Sequence, residues 1–396
     1  MAAAARAESR GEVATDSHPP SIDIENRSLQ LKGKRSSCYV CNQAYSELHD
    51  FYHMLCRECG DRCYPKREQT ADLTGRVAVV TGGRIKIGFE TSLKLLRSGC
   101  TVHITTRFAS EAAVRFSEQA DFEDWAGRLQ IHRLDFRNLA AVLKFPQILR
   151  SQLGSLDILI NNAAQSVKRS PAFLNRLLAF EENAKLTSPQ QRLLGSGSEQ
   201  DQKKLSAEDS ASLENVVTNL PESWLIRDDD DRLDTREQNT WNSCLTDVDP
   251  VEILEVLLIN ANAPALLVRG LRELMNLSQS ENRFIVNVSG ADGTFSLSKS
   301  GYHPHVNMSK AALNMITRSC HRDFARDRIF INSVDTGWIT HEGSFSYRQR
   351  RREQGFVPPF DSIDGAARVL DPVFSHLDSA DVPNGVLFRN FQSSSW

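Results

Sequence analysis

Short, unbroken apolar runs recur along most of this chain: Val77 to Val80, Val102 to Thr105, Leu129 to Leu134, Leu156 to Ile160, Phe284 to Val288 and Ile329 to Val334. Runs of this kind read as strands buried on both faces, the pattern of a parallel sheet covered by helices on each side. Helical patterns separate most of them, Phe89 to Arg97 and Lys310 to Cys320 among these. The alternation predicts an α/β fold, a doubly wound parallel sheet with helices on both faces, over residues 70–396. With 396 residues and 40% apolar content, one large domain with appendages fits the distribution of the runs.

The appendages are set off by composition. Residues 1–35 are rich in Ala, Ser, Glu and charge, lack apolar periodicity, and are expected to be a disordered tail. Residues 36–66 hold five of the eight cysteines, in the spacing Cys38-x2-Cys41-x14-Cys56-x2-Cys59 with Cys63 beyond. Two such pairs each wrap a turn around one tetrahedral cation, which predicts a small zinc-ribbon-like module holding structural Zn2+. The alternative, four reduced thiols, leaves so short a segment without a core. Cys63, His49 and His53 are the substitute ligands. Clamping the main domain, recruiting a protein partner and touching a substrate all stay open as roles for the module. A stretch at about 168–250 interrupts the strand-helix rhythm with Gly195-Ser196-Gly197-Ser198 and the acidic run Asp228 to Asp231, and reads as an insertion. Its amphipathic piece Phe173 to Phe180 is expected to dock as a short helix, and its polar middle to be solvated.

A net charge of −3 provides no basic field, so no nucleic acid partner is expected. The apolar stretch Val251 to Val268 is broken by Glu252 and Glu255 and falls short of a bilayer span, so no membrane association is expected. Met1 to Arg10 begins with alanines but carries Glu8, with Glu12 soon after, unlike a secretory or transit signal. Together with the crowded cysteines, this predicts a soluble, cytoplasmic protein, with the nucleus not excluded.

Chemistry begins where the first run ends, at Thr81-Gly82-Gly83-Arg84-Ile85-Lys86-Ile87-Gly88, which leads directly into a helix. Small residues at a strand-to-helix turn let backbone amides approach a pyrophosphate at the positive helix end. Asn161-Asn162-Ala163-Ala164 closes the fourth run, at the end of the sheet where ligands bind. The turn resembles the Thr-Gly-x-x-x-Gly-x-Gly loop of the short-chain dehydrogenase/reductase family, and Asn161 to Ala164 resembles its Asn-Asn-Ala-Gly motif. The resemblance continues through Leu134-Asp135-Phe136, Asn260, Ser309 to Leu313 and Asn332 to Gly337. It implies a Rossmann-type fold and a dinucleotide held by Thr81, Gly82, Gly83, Arg84, Ile87, Gly88, Asn162, Ala163 and Lys310, with Asp135 on the adenine edge and Phe136 supplying a neighbouring amide.

Charge selects the dinucleotide. The second run ends at Arg107, where an NAD enzyme usually places an acid for the ribose hydroxyls. Arg107 suits a 2′-phosphate, and Arg84 is expected to converge on the same anion, which favours NADP(H) over NAD(H). Surface roles for both arginines are the alternative.

The catalytic centre departs from the family pattern of Tyr-x-x-x-Lys with an upstream serine and an asparagine. Lys310 and Asn260 are present, but the tyrosine position holds Val306 and the serine position holds Gly290, with Ser289 one place earlier. A glycine of the cofactor turn is replaced by Lys86, whose Cβ is expected to crowd the pyrophosphate and whose charge compensates. On one reading the chain is an oxidoreductase passing hydride between NADP(H) and a small carbonyl or alcohol, with Tyr302, His305 or Ser289 in the proton-handling role beside Lys310 and Asn260. On the other it is a catalytically silent scaffold, a pseudoenzyme that binds NADP or no nucleotide and acts in protein interaction through the zinc module or the insertion. Catalytic zinc is disfavoured, because four cysteines leave no open coordination position.

Trp338 to Phe360 falls where the resemblance places a substrate lid. Trp338, Phe345, Tyr347, Phe356 and Phe360 are its candidate apolar lining, while Arg348 and Arg350 to Arg352 are read as a solvated loop or as contacts for an acidic substrate. Family members commonly form homo-oligomers; the oligomeric state here stays open.

Overall fold

A computed structural model describes residues 29–30, 36–169, 171–195 and 236–396. Every expected run is a strand: Val77–Thr81 (β1), Thr101–Thr106 (β2), Leu129–Arg133 (β3), Ile158–Asn161 (β4), Arg283–Ser289 (β5) and Ile329–Asp335 (β6), followed by Leu387–Arg389 (β7) and Gln392–Ser394 (β8). The order across the sheet is β8-β7-β6-β5-β4-β1-β2-β3, parallel except for the antiparallel β7–β8 edge. Because β1 lies between β2 and β4, the chain leaves it in opposite directions and a crevice opens above its carboxyl end.

Helices cover both faces, as the unbroken apolar runs require. In β1, Ala78 and Val80 face the core shared with the helices Lys86–Arg97, Ala109–Ser117 and Ser362–Phe374, whereas Val79 faces the core shared with Leu139–Gln152 and Ala263–Asn276. The apolar stretch from Val251 is longer in the fold than expected. It runs as one helix over Pro250–Asn276, long and apolar enough by composition to cross a membrane. Its inward face, with Leu267, Leu271 and Met275, packs in the second core. A π-helical turn at Leu258–Asn262 interrupts it and carries Asn260.

Of the tail, Leu29–Gln30 pairs antiparallel with Glu47–Leu48, so these two residues belong to a ladder; residues 1–28 and 31–35 of the expected tail lie outside the described residues. The cysteine segment continues into the helix Arg57–Glu68, beyond the expected boundary at 66. It shares its core with the main domain: Tyr52, Leu55 and Cys63 pack with Phe360, and Ile339 and Phe391 border them. Tyr52 Oη donates to Asp364 Oδ1 at 2.5 Å, and Arg67 forms ion pairs with Asp361 and Asp364 at 2.8 Å. The module is thus fastened to the helix Ser362–Phe374 through groups whose separation would strand buried charge.

The front part of the insertion docks as expected. Phe173 and Leu177 of the helix Pro171–Asn183 pack on Phe108, and Glu181 accepts hydrogen bonds from the Ser110 and Glu111 amides at the start of a neighbouring helix. Ser196 to Ser198 and the run Asp228 to Asp231 lie outside the described residues.

Candidate functional site

Above the ends of β1 and β4 lies a cavity of about 640 Å³. Thr81 joins the two strand ends: its Oγ1 accepts from the Asn162 and Ala163 amides at 3.0 Å. A Cβ at Gly82 would stand 2.8 Å from the Ala163 Cα, and one at Gly88 would stand 2.2 Å from the Gly82 carbonyl oxygen, so both positions require glycine. Lys86 occupies the left-handed region at φ 52° where the family pattern has glycine. The helix Lys86–Arg97 starts without a side-chain cap and without an acid in its first turn. Its terminal amides therefore have no capping side chain, and the end is electropositive.

Of the residues proposed for the cofactor, Gly82, Arg84, Ile87, Gly88, Arg107, Asp135, Phe136, Asn162, Ala163 and Lys310 line this cavity. Thr81 and Gly83 do not line it; Thr81 supports the turn from behind, and a Cβ at Gly83 would meet the Ile104 side chain at 2.6 Å. The expected convergence of two arginines on one anion is modified by a carboxylate, since Arg84 Nη1 bonds to Glu111 Oε2 at 2.9 Å. Arg107 stands over the Phe108 ring at 5.3 Å and forms no hydrogen bond or ion pair among the described residues. Burial lowers its pKa from the ordinary arginine value, with Asp135 opposing that effect. Asp135 is itself engaged by Arg137 at 2.6 to 3.1 Å; burial works to raise its pKa, and these bonds outweigh it and hold the carboxyl low. Its carboxylate thus shares its oxygens between this arginine and the cavity that it lines.

Lys310 Nζ donates to the Val288 carbonyl at 2.8 Å, and burial pulls its pKa down to about 8. Asn260 bridges inward, donating to Ser309 Oγ and to the Gln165 carbonyl at 3.0 Å and accepting from the Gln165 amide at 2.7 Å. Ser289 ends β5 on the cavity wall with its hydroxyl buried and without a hydrogen-bond partner among the described residues. Two candidates are not brought to the cavity. Tyr302 is 44% exposed and absent from the lining, because Pro304 starts the helix Pro304–Ala325 just after it and leaves its loop on the surface. His305 is buried away from the cavity beside Glu252, its Nε2 3.8 Å from the carboxylate. Val306, at the expected tyrosine position, is buried in the packing.

The lid segment is partly helical, Phe345–Glu353, and not a loop throughout; Arg348 is buried and Arg351 covers the Phe356 ring at 3.9 Å, whereas Arg350 and Arg352 are exposed as a solvated segment would leave them. Trp338 lines the cavity, whereas Phe360 belongs to the core of the cysteine module and Tyr347 is exposed. Tyr39, Trp241, Asp292 and Glu342 also line the cavity and escaped the sequence reading. Tyr39 and Trp241 come from the two appendages, each of which carries several aromatics with nothing in the sequence to single out the one that reaches the cavity.

Cys38, Cys41, Cys56 and Cys59 bring four sulfurs within 4.8 Å of one another. A tetrahedron of ~2.3 Å zinc–sulfur bonds spaces its sulfurs about 3.8 Å apart, and Cys41 and Cys56 stand at 3.8 Å. The donor set fits zinc. Cys63 instead faces the Arg368 guanidinium, His49 accepts from the Phe51 and Tyr52 amides, and His53 contacts the Val357 carbonyl, so none of the three joins the cluster.

The short chain dehydrogenase family model matches residues 76–182. An uncharacterized protein of Acanthamoeba polyphaga mimivirus is 30% identical over 373 residues, covering 90% of this chain and 75% of that protein. The (+)-neomenthol dehydrogenase of Capsicum annuum is 38% identical over 94 residues, 23% of this chain and 29% of that enzyme, so this match spans under a third of its length. A solved short chain dehydrogenase from Burkholderia cenocepacia in complex with NADP shares the fold with a TM-score of 0.51 at 19% identity, over 80% of this chain and 96% of that chain.

Proposed function

Since the chain belongs to the short-chain dehydrogenase/reductase family, we propose that it is an NADP(H)-dependent oxidoreductase acting on a small carbonyl or alcohol. The observation that carries the cofactor choice is Arg107, a half-buried cation on the cavity wall that forms no hydrogen bond or ion pair among the described residues. A 2′-phosphate is the anion that this position suits. Gly82 and Gly88 give the backbone clearance that a pyrophosphate needs, and the uncapped helix start and Lys86 supply positive potential. When bound, the dinucleotide supplies or accepts hydride.

The chain's own groups do the rest. Lys310, held on the Val288 carbonyl, presents a cation for the ribose and for the developing alkoxide. Asn260 is a positioning residue, tying the loop at Gln165 to the Lys310 helix through Ser309. Cys38, Cys41, Cys56 and Cys59 hold a structural Zn2+, and the closed four-thiolate set keeps that ion out of the chemistry.

Val306 and Gly290 favour a second reading, a nucleotide-binding protein without turnover, since neither side chain carries a proton donor. Carbonyl-dependent NADPH oxidation abolished by Lys310→Met supports the enzyme. NADPH binding in a protein whose slow NADPH oxidation is independent of added carbonyl and unaffected by Lys310→Met supports the second reading.

A further inference from the structure

The family's serine position is vacant at Gly290, and what stands beside the vacancy is a carboxylate. A Cβ built at Gly290 has Asp292 Oδ2 as its nearest neighbour, at 3.6 Å, and Asp292 lines the cavity with Ser289 and Lys310. The other oxygen, Oδ1, lies 3.3 Å from His303 Nε2. His303 is held firmly. Its Nδ1 lies 2.8 Å from the Trp241 carbonyl, its amide donates to the Ser243 carbonyl at 3.0 Å, and its ring stacks on Trp241 with centroids 4.0 Å apart. It also sits at φ 42°, a left-handed conformation that the surroundings must enforce.

This geometry assigns a proton. A carbonyl only accepts, so the Trp241 contact places the hydrogen of a neutral ring on Nδ1. Nε2 would then turn a lone pair toward Asp292 Oδ1, a contact between two acceptors unless one further proton lies between them. We propose that Asp292 and His303 share this proton and that Asp292 delivers it to the substrate oxygen, replacing the missing tyrosine and serine. The proposal rests on the oxidoreductase reading above. With a reduced dinucleotide bound, which would supply hydride with its electron pair to the carbonyl carbon and so be oxidised, Asp292 would give its proton to the oxygen and the C=O would become CH–OH. The pair, then carboxylate and neutral imidazole, would regain its proton from water. Lys310, on the same cavity wall, would stabilise the alkoxide character by its charge. Asp292 is the catalytic residue here and His303 the positioning residue that holds its proton.

The test uses the full, zinc-replete chain with ¹⁵N-labelled histidine. At pH 8, where an ordinary imidazole with a pKa of ~6.5 is almost wholly neutral, the His303 Nε2 resonance is expected between the positions of a protonated and a bare imidazole nitrogen, and to move to the bare position in Asp292→Ala. A resonance already bare in the unsubstituted protein, or unmoved by the substitution, overturns the proposal. In carbonyl-dependent NADPH oxidation, Asp292→Asn is expected to lower kcat by about 100-fold or more without altering NADPH affinity, and His303→Gln to shift the pH profile. Full turnover in Asp292→Asn, or its loss in Tyr302→Phe, also overturns it. Failure of NADPH to bind, with the Nε2 signal behaving as stated, removes the cofactor reading and the catalytic assignment together while leaving the shared proton in place.

Discussion

The phenol oxygen of Tyr39 accepts a hydrogen bond from the Trp338 backbone amide at 3.0 Å. Tyr39 follows the first cysteine of the four-sulfur cluster directly, and both it and Trp338 line the cavity. The cysteine module therefore builds part of the cavity wall and is more than a tethered appendage.

Cys41→Ser is expected to remove stoichiometric zinc, measured by elemental analysis, and to lower the melting temperature, because binding energy at such a site is folding energy. With Tyr39 no longer fixed, NADPH affinity falls in the same variant. Unchanged zinc content would contradict the four-cysteine assignment.

Arg107→Ala is expected to weaken NADPH binding by about 2 kcal/mol, the scale of a charged hydrogen-bonded contact, and to leave NADH binding nearly unchanged. Fluorescence titration with each dinucleotide reads the difference. Glu111→Gln should change the preference less, since Arg84 is shared between the cavity and that carboxylate.

Lys310 is a cation below about pH 8 and loses its proton as pH rises through that value, burial being the main cause. Turnover that depends on its charge is expected to fall across the same window. A rate that stays level well above pH 8 would remove the cation from the chemistry.

His103 and His132, on adjacent strands β2 and β3, meet at 2.9 Å in the interior. Burial lowers the first to about 4 and the second to about 3, with the neighbouring ring adding to the shift of His132. In the unfolded chain both titrate near pH ~6.5, so below that pH the unfolded state binds more protons. Stability is full above about 6.5 and is lost as pH falls toward ~4, by up to about 1.4 kcal/mol per pH unit for each ring. Urea unfolding at pH 7.5 and 5 checks the slope, and His132→Phe should flatten it.

The sheet was legible because strands such as Val77–Thr81 are buried on both faces and must be apolar throughout. The glycine turn was legible because Gly82 and Gly88 have no room for a Cβ. Side-chain partners were not. The pairing of Arg84 with Glu111 depends on how the helix Ala109–Ser117 lies over the turn, and that of Tyr39 with Trp338 joins residues remote in sequence. Asp292 and His303 carry no motif, and only the loop between β5 and the following helix brings them together. Tyr302 was a chemically apt donor whose loop leaves it in solvent.

Calorimetric titration of the purified, zinc-replete chain with NADPH and then with NADH tests the central claim most directly. Saturable NADPH binding, with NADH weaker by more than about tenfold, is the predicted result, tenfold being about 1.4 kcal/mol. No binding of either dinucleotide, or tighter binding of NADH, would contradict it.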